Sequence, residues 1–286
     1  MRRSIAAALL AVGCAAYAQP APRPAFEVAS IKPSPKNCTG PGPGAGPTPG
    51  RIELPCVSAR LLIRAAYGLL SGGQLAVRPV EVVGGPAWLD SERYTIVAKA
   101  EGRASPTEMF GPMLQTLLED RFQLKLHRES REHAAYALTV AKGGPKLTPA
   151  KEECPAADLN DFAAWRVHAQ TSCGMPRISR KEGLTVVDFA GATMQEFAAR
   201  AIFLDRPVID KTGLAGRYDI HLEFAREFPS GSIRLNGIEQ PAPVPRESAG
   251  PSVFAALSQQ LGLKLSPAKA PVDVIVIDSV ERPAPN

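Results

Sequence analysis

The sequence predicts an α+β fold made of two tandem copies of one unit, with helices packed on one face of mainly antiparallel sheets. Arg93-Tyr-Thr-Ile96 in the first half is answered by Arg217-Tyr-Asp-Ile220 in the second. Each half also places amphipathic helix patterns between strands that alternate apolar and polar residues. The order strand, helix, strand, strand, helix, strand, strand recurs, and one apolar face per element requires helices on one side of a sheet.

The first 18 residues predict a signal peptide. Arg2 and Arg3 precede a short apolar run, and Ala16-Tyr-Ala18 fits the small-residue cleavage rule. The alternative is lipid attachment at Cys14, but the leucine usual three residues earlier is missing, which favours cleavage after Ala18. No later run approaches the roughly 20 residues needed to span a bilayer, so we expect an exported chain, periplasmic or extracellular, without a transmembrane segment.

The predicted boundaries follow from composition. We expect a first repeat at 19–145 with a flexible proline- and glycine-rich loop at 36–50. A cysteine-bracketed insertion follows at 146–180, with a short helix around 158–165. The second repeat then occupies 181–286 and carries a polar, proline-rich insertion at 226–250.

In the first copy, caps and alternation predict each element. Ser58 is a plausible N-cap, and Ser105 with Glu108 forms a capping box for a helix that Pro112 must kink or delay. A charged turn at Arg128–Glu132 predicts a hairpin between two short strands. The strands expected here are 26–32, 51–54, 80–83, 94–98, 122–126 and 136–140.

The second copy repeats this order. Thr193 with Glu196 forms another capping box, and a further helix starts at Pro251. If the copies are equivalent, Tyr94 and Tyr218 begin equivalent strands, and we expect both rings to be buried. The expected strands are 184–189, 208–209, 218–224, 263–265 and 274–277.

Charge argues against a nucleic-acid partner. The formal net charge is +5, and loss of Arg2 and Arg3 with the signal peptide lowers it to +3. The remaining basic residues are spread along the chain and form no dense block.

Export makes the cysteines candidates for disulfides. Cys38, Cys56, Cys154 and Cys173 remain after cleavage and allow three pairings. We favour Cys38–Cys56 and Cys154–Cys173, because each pair would close a loop-rich insertion. No Cys-x-x-Cys motif and no histidine at ligand spacing indicates a metal, so we expect neither a metal nor another cofactor.

Four candidate binding residues stand out. Trp88 is either a core residue over the sheet or an exposed aromatic for a ligand. Asp210 and Lys211 occupy the corresponding turn of the second copy and either line a groove or form a salt bridge in the turn. His221, between Asp219 and Glu223, lies on the polar face of a strand, where solvated surface is the simpler account.

Several segments resemble a family of secreted proteins found in soil bacteria. The resemblance covers nearly all of the chain after the signal peptide. Its members' activity is not established, but similar domains occur attached to membrane metallopeptidase sensors of the antibiotic-response type. The resemblance therefore implies an extracytoplasmic sensing or binding role. The segments are Phe26-Glu-Val-Ala-Ser-Ile-Lys-Pro33, Leu62-Ile-Arg-Ala-Ala-Tyr-Gly68, Gly84-Gly-Pro-Ala-Trp-Leu-Asp90, Met113-Leu-Gln-Thr-Leu-Leu-Glu-Asp-Arg-Phe122, Pro207-Val-Ile-Asp-Lys-Thr-Gly-Leu-Ala-Gly-Arg-Tyr-Asp219 and Ile277-Asp-Ser-Val-Glu-Arg-Pro283.

Three functional hypotheses remain. The leading one is a non-enzymatic binding or sensing module of the cell envelope whose partner is an envelope protein or a small ligand. It rests on the lack of His-Glu-x-x-His, Gly-x-Ser-x-Gly and similar catalytic sets. The second is a hydrolase using Asp210, Asp219 and His221. The third is a structural partner in an envelope assembly, which an unpaired sheet edge would indicate.

Overall fold

A computed structural model describes most of the chain. The residues described are 23–35, 37–38, 46–68, 70–71, 74–75, 80–150, 160, 173–201, 203–225, 232–235, 238–241 and 250–284. The predicted signal peptide, Cys14, Cys154 and the helix expected around 158–165 lie outside them.

The described residues of the first half form eight strands and four helices. Its elements are β1 Val28–Pro33, β2 Gly46–Thr48, β3 Arg51–Val57, α1 Ala59–Gly68, β4 Leu70–Ser71, β5 Gln74–Leu75, β6 Glu81–Gly84, α2 Trp88–Ser91, β7 Tyr94–Lys99, α3 Pro106–Glu108, α4 Leu114–Phe122 and β8 Lys125–Val140.

The predicted caps start these helices. The Leu61 amide donates to the Ser58 side chain at 3.3 Å where α1 begins. Ser105 and Glu108 form the expected capping box at the start of α3. Between α3 and α4 lies a π-helical stretch, Met109–Met113, in which Gly111 leaves helical geometry directly before Pro112. The proline therefore kinks the helix, as predicted, because its ring cannot fit a regular turn.

The second half contains the corresponding elements. Thr193 and Glu196 form the predicted capping box, which starts α5. The described elements are β9 Thr148–Pro149, β10 Pro176–Lys181, β11 Leu184–Ala192, α5 Met194–Ala199, β12 Val208–Asp210, β13 Tyr218–Phe224, β14 Ser232–Leu235, β15 Ile238–Pro241, α6 Val253–Leu261 and β16 Leu263–Ser279.

The two halves build four-stranded antiparallel sheets with the same topology. The strand order is β1-β7-β3-β2 in the first and β9-β13-β11-β10 in the second. Tyr94 pairs with Pro33 on one side and Val57 on the other, while Tyr218 pairs with Pro149 and Ala192. The α+β class with mainly antiparallel sheets is confirmed. Strand β9 lies inside the insertion predicted at 146–180 and occupies the place in the second sheet that β1 has in the first.

A β-bulge recurs at the same place in both sheets. It interrupts β3 between Leu54 and Val57, and β11 between Phe189 and Ala192. Within these bulges, Cys56 and Gly191 occupy equivalent positions with φ of 54° and 53°. This left-handed conformation suits glycine and is uncommon for other residues, so the shared backbone does not depend on the residue that occupies it.

The hairpin predicted in the first copy was wrong, and Phe122, predicted to start its first strand, ends α4 instead. The charged segment Arg128–Glu132 is not a hairpin turn but the middle of β8, a continuous 16-residue strand. Strand β16 likewise joins both apolar runs predicted in the second copy, and it pairs antiparallel with β8 along their length. The charged segment stays extended because the opposite strand satisfies its backbone groups while its side chains remain in water.

The β8–β16 ribbon carries approximate twofold symmetry. Leu126 of β8 corresponds to Leu265 of β16 in the two copies. The residues six positions further along each strand, Glu132 and Pro271, pair with each other, so the symmetry axis passes between them. The short strands β6 and β12 pair parallel with the far ends of β16 and β8, so each copy adds a strand beside a long strand of the other.

Two hydrophobic cores form at the two ends of the ribbon. We call the regions around them the first and second lobes. The first lobe buries α1, α4 and β7 together with Ile275 and Ile277 of β16. The second lobe buries α5, α6, β11 and β13 together with Leu138 of β8. Each core therefore includes residues from both copies.

Cys38 and Cys56 form a disulfide, with Cα atoms 5.9 Å apart, as predicted. Cys173 is also disulfide-bonded, and its pairing with Cys154 stays a prediction. Among the described residues, no helix combines the length and apolar character that crossing a membrane requires. The confirmed disulfide fits an oxidising, exported environment.

Candidate functional site

His221 lies on the outer face of the second-lobe sheet. Alternation along β13 directs Ile220 and Leu222 into the core and His221 outward. The register of β11 and β13 sets Asp188 directly opposite His221. Nδ1 of His221 lies 2.7 Å from Oδ1 of Asp188, and Nε2 lies 3.3 Å from Oε1 of Glu223.

This arrangement favours the protonated ring. The hydrogen bond with Asp188 raises the pKa of His221, and Glu223 acts in the same direction. Glu223 also pairs with Lys181 at 3.6 Å. A charged imidazole held between two carboxylates is suited to electrostatic contacts, because a ring held in the protonated form is a poor general base.

Asp219 does not join His221. One of its carboxylate oxygens accepts a hydrogen bond from the Gly191 amide at 2.9 Å and so holds the β11 bulge. Within the described ranges, no group of three or more His, Cys, Asp or Glu side chains could hold a metal ion.

Asp210 stabilises the turn that follows β12. Its carboxylate accepts hydrogen bonds from the amide and hydroxyl of Thr212 at 2.9 and 2.8 Å. Lys211 is exposed, and its amide donates to the Leu138 carbonyl at 2.9 Å. Hydrogen bonds with Thr212 thus hold this turn, and not the salt bridge between Asp210 and Lys211 that was the simpler of our two interpretations.

Trp88 fits the core interpretation rather than the exposed one. It is buried in the first lobe and stacks on Phe122 with a centroid distance of 6.5 Å. The Arg282 guanidinium lies over the indole ring at 5.2 Å and pairs with Glu92 at 2.9 Å. The four sequence candidates therefore do not form one site: Trp88 belongs to the first core, Asp210 and Lys211 lie at the end of β12, and His221 lies on β13 in a different sheet.

A charged cluster that sequence reasoning missed lies where α5 meets the β11 bulge. Nη1 of Arg217 donates to Oε2 of Glu196 at 3.0 Å and to the Gly191 carbonyl at 2.6 Å. Arg200, which ends α5, is only 8% exposed. Burial lowers the pKa of its guanidinium, while Glu196 opposes that shift and Arg217 adds to it. The sequence did contain one signal for this cluster, because Arg200 lies directly beside the apolar face of the helix predicted after Thr193.

A small cleft of about 170 Å³ lies in the first lobe. The segment around Phe26 and the edge of β1 form one side, and Thr116 and Arg121 of α4 form the other. Arg121 donates to the Ala29 carbonyl at 3.1 Å, and Arg23 pairs with Glu119 at 3.0 Å. These contacts close part of the cleft.

The fold defines a two-lobed α+β protein whose copies share one long ribbon. The chain matches the family described as "Protein of unknown function (DUF3738)" over residues 60–280, and it belongs to that family. Comparisons with curated proteins and with solved structures found no match.

Proposed function

We propose that the protein is an exported, non-enzymatic binding module of the cell envelope, and that the outer edge of β10 holds an extended acidic segment of another envelope protein. The observation that carries the proposal is the exposure of this edge strand. All its residues after Pro176 are exposed, and it contains Arg177, Arg180 and Lys181 but no acidic residue.

An edge strand offers main-chain recognition to an extended segment. Strand β10 pairs with β11 on one side, and no strand pairs with its other side among the described residues. Ile178 is 49% exposed and lies opposite the buried Val187, so it lies on the core side at the sheet margin. An added strand would gain backbone hydrogen bonds and an apolar contact with Ile178.

Charge selects the partner. Basic side chains on an edge discourage pairing with a second copy of the same strand. They attract an acidic strand, because opposite charges on neighbouring strands stabilise a sheet. Lys181 is partly engaged by Glu223, whereas Arg177 and Arg180 form no ion pair within the described part of the chain. The two arginines are therefore available to carboxylates of a partner.

The other six-residue terminal strand is less available. In β1, the Ala29 carbonyl already accepts a hydrogen bond from Arg121, and α4 lies beside this edge. The remaining terminal strands of the four-stranded sheets are four residues or shorter. Strand β10 is thus the longest terminal strand of a four-stranded sheet without such a cover.

The contacts give the hydrolase hypothesis less support. Asp210 bonds Thr212, Asp219 bonds Gly191, and His221 bonds Asp188, so each is held by a separate local contact. Catalysis would require these groups to converge on one reacting atom.

A peptide-binding measurement tests the proposal. Fluorescence anisotropy of a labelled Glu-Val repeat hexapeptide should show saturable binding to the full chain, and a Lys-Val repeat should bind far more weakly. The double variant R177E/R180E should weaken binding about tenfold or more, since it replaces attraction with repulsion.

Two controls separate strand addition from general charge attraction. The K264E variant reverses one positive charge on the exposed face of β16, half the charge change of the double variant, and should leave binding unchanged. The Glu-Val peptide N-methylated at alternate residues should lose binding, because it cannot complete the backbone hydrogen bonds. Equal binding of the methylated peptide, or equal loss in K264E, would contradict the proposal.

A further inference from the structure

Arg200 has an unusual environment for a charged side chain. It is 8% exposed, and its Nε atom is buried without a hydrogen-bond partner. A buried polar group without a partner costs about 1–3 kcal/mol, and more when it is charged. Native proteins satisfy almost all such groups, so the unpaired Nε of Arg200 points to a missing acceptor.

The nearest charged groups leave room for that acceptor. Oε2 of Glu196 is already occupied: it accepts from the Thr193 amide at 3.0 Å and from Arg217 Nη1 at 3.0 Å. Arg217 uses only Nη1 for its hydrogen bonds in the described region, and its side chain is 45% exposed. The Nε atom of Arg200 is therefore buried without a partner, and Arg217, whose charge acts on Arg200, is half-exposed.

The fold itself does not require these charges. Counted from the equivalent caps Ser58 and Thr193, Glu196 corresponds to Leu61 and Arg200 to Ala65 in the first copy. The first copy builds the same helix, bulge and sheet without an arginine at this position. Arg217 does have a counterpart in Arg93, so Glu196 and Arg200 are the charges that the second copy adds to the shared scaffold.

We infer that Arg200 and Arg217 form a binding site for a single carboxylate group, supplied by a small organic acid or by the C-terminus of a peptide. Two arginines and Glu196 leave one positive charge, which one carboxylate neutralises. The planar fork of a guanidinium also matches the two oxygens of a carboxylate. Asp219 is the further acid nearby, and its bond with the Gly191 amide keeps it on the exposed side of the bulge.

Acetate is the simplest probe. Sodium acetate is titrated into the oxidised full chain at constant ionic strength, balanced with sodium chloride. The Arg200 Nε–H resonance in ¹H–¹⁵N spectra should shift saturably, and acetate should raise the Tm. The variant R200M should weaken acetate binding about 10- to 100-fold, the loss expected for a charge-assisted hydrogen bond.

Matched variants separate binding from structure. Arg64 also has a buried, unpaired Nε, but its side chain is only half-buried in α1, so R64M should leave acetate binding unchanged. Without acetate, R200M should raise the Tm, because an apolar side chain replaces an uncompensated charge. The variant R217Q, changed at a half-exposed side chain, should weaken acetate binding in the same direction.

The two sources of a carboxylate are distinguished with peptides. A tripeptide with a free C-terminus that binds more tightly than acetate, while its amidated form does not bind, would assign the site to a peptide terminus. Equal responses to acetate and chloride, tighter binding of inorganic phosphate than of acetate, or unchanged binding in R200M would each overturn the inference. Because β10 is untouched by these variants, this outcome is independent of the edge-strand proposal.

Discussion

The two lobes share a backbone plan but differ in what they present to solvent. Both sheets have the same strand order, the same bulge and the same cap before the first helix. Their outer faces diverge: the position of His221 in β13 corresponds to Val97 in β7. Duplication thus preserved the pairing register, whereas the histidine held between Asp188 and Glu223 is found in the second lobe and is replaced by an apolar valine in the first. This contrast locates the candidate functions in the second lobe.

The largest expected effect tests whether the equivalent tyrosines are equally important. Tyr94 is 3% exposed and meets Phe122 edge-on at 5.6 Å, but Tyr218 is only half-buried, contrary to the sequence prediction. Tyr94→Ala should therefore cost about 3–5 kcal/mol of unfolding free energy, as other buried aromatic truncations do. Tyr218→Ala should cost roughly 1–2 kcal/mol, because less of its surface leaves water. Urea denaturation measures both.

Phenylalanine variants separate the stability contributed by burial of each ring from that contributed by its hydroxyl group. Tyr94 donates to Glu92 and Tyr218 donates to the Ala215 carbonyl, each at 2.8 Å. Tyr94→Phe and Tyr218→Phe should each lose only about 1 kcal/mol, the value of one hydrogen bond. Equal losses for the two alanine variants would mean that the lobes are energetically as well as topologically equivalent.

Local signals in the sequence predicted much of each lobe. The capping boxes at Ser105 and Thr193, the kink at Pro112 and the strand at Tyr94 were all readable, because each depends on residues close in the chain. The ribbon was not readable. Arg128–Glu132 has the composition of a turn, and only its pairing with Pro271–Ile275, far along the chain, keeps it extended.

The disulfide gives the next largest effect. Cys38 and Cys56 are 18 residues apart, so C38S/C56S should cost about 3 kcal/mol of loop entropy. Cys56 also has a φ of 54°, the conformation that Gly191 adopts in the second lobe. C38S/C56G should therefore be about 1–2 kcal/mol more stable than C38S/C56S, since glycine has no left-handed penalty. Guanidinium unfolding compares the two, and equal stabilities would show that the bulge relaxes without the disulfide.

A smaller effect is expected where the second helix of each copy ends. Gln123 and Gly262 follow α4 and α6 in left-handed conformations, with φ of 49° and 64°. A Cβ at Gly262 would collide with the Gly144 carbonyl, whereas Gln123 already has one. Gly262→Ala should thus cost more than the roughly 1–2 kcal/mol of left-handed strain, while Gln123→Gly should gain about 1 kcal/mol. Thermal denaturation should show a lower Tm for Gly262→Ala and a higher Tm for Gln123→Gly if the two helix ends share only their backbone conformation.

The candidate site was less predictable than the fold. The polar side of β13 was visible from alternation, so His221 was found, but its partner Asp188 comes from β11 and required the register. Arg200 was missed because its burial depends on how α5 packs against the bulge. Trp88 was ambiguous for a similar reason, since only tertiary packing decides whether an aromatic before a strand is covered.

The smallest effect is the pH dependence that distinguishes the two outer faces. The pKa of His221 is raised chiefly by its hydrogen bond with Asp188, with Glu223 adding and burial opposing. A raised folded-state pKa gives stability that is fully present below the unfolded value of about 6.5 and lost as pH rises through the folded value. His221 is 59% exposed, so solvent screening should hold this contribution below about 1 kcal/mol.

Replacing His221 by valine, the residue at the corresponding position of the first lobe, tests whether this histidine causes the pH dependence. His221→Val should remove the part of the stability loss that occurs between pH 6.5 and the folded pKa, measured by urea midpoints across that range. Asp188→Asn should lower the pKa of His221 in an NMR titration, because it removes the principal cause of the shift. The flanking charges Lys181 and Glu223 remain in both variants and serve as the constant background. An unchanged pH slope in His221→Val would place the titrating group elsewhere and remove this difference between the lobes.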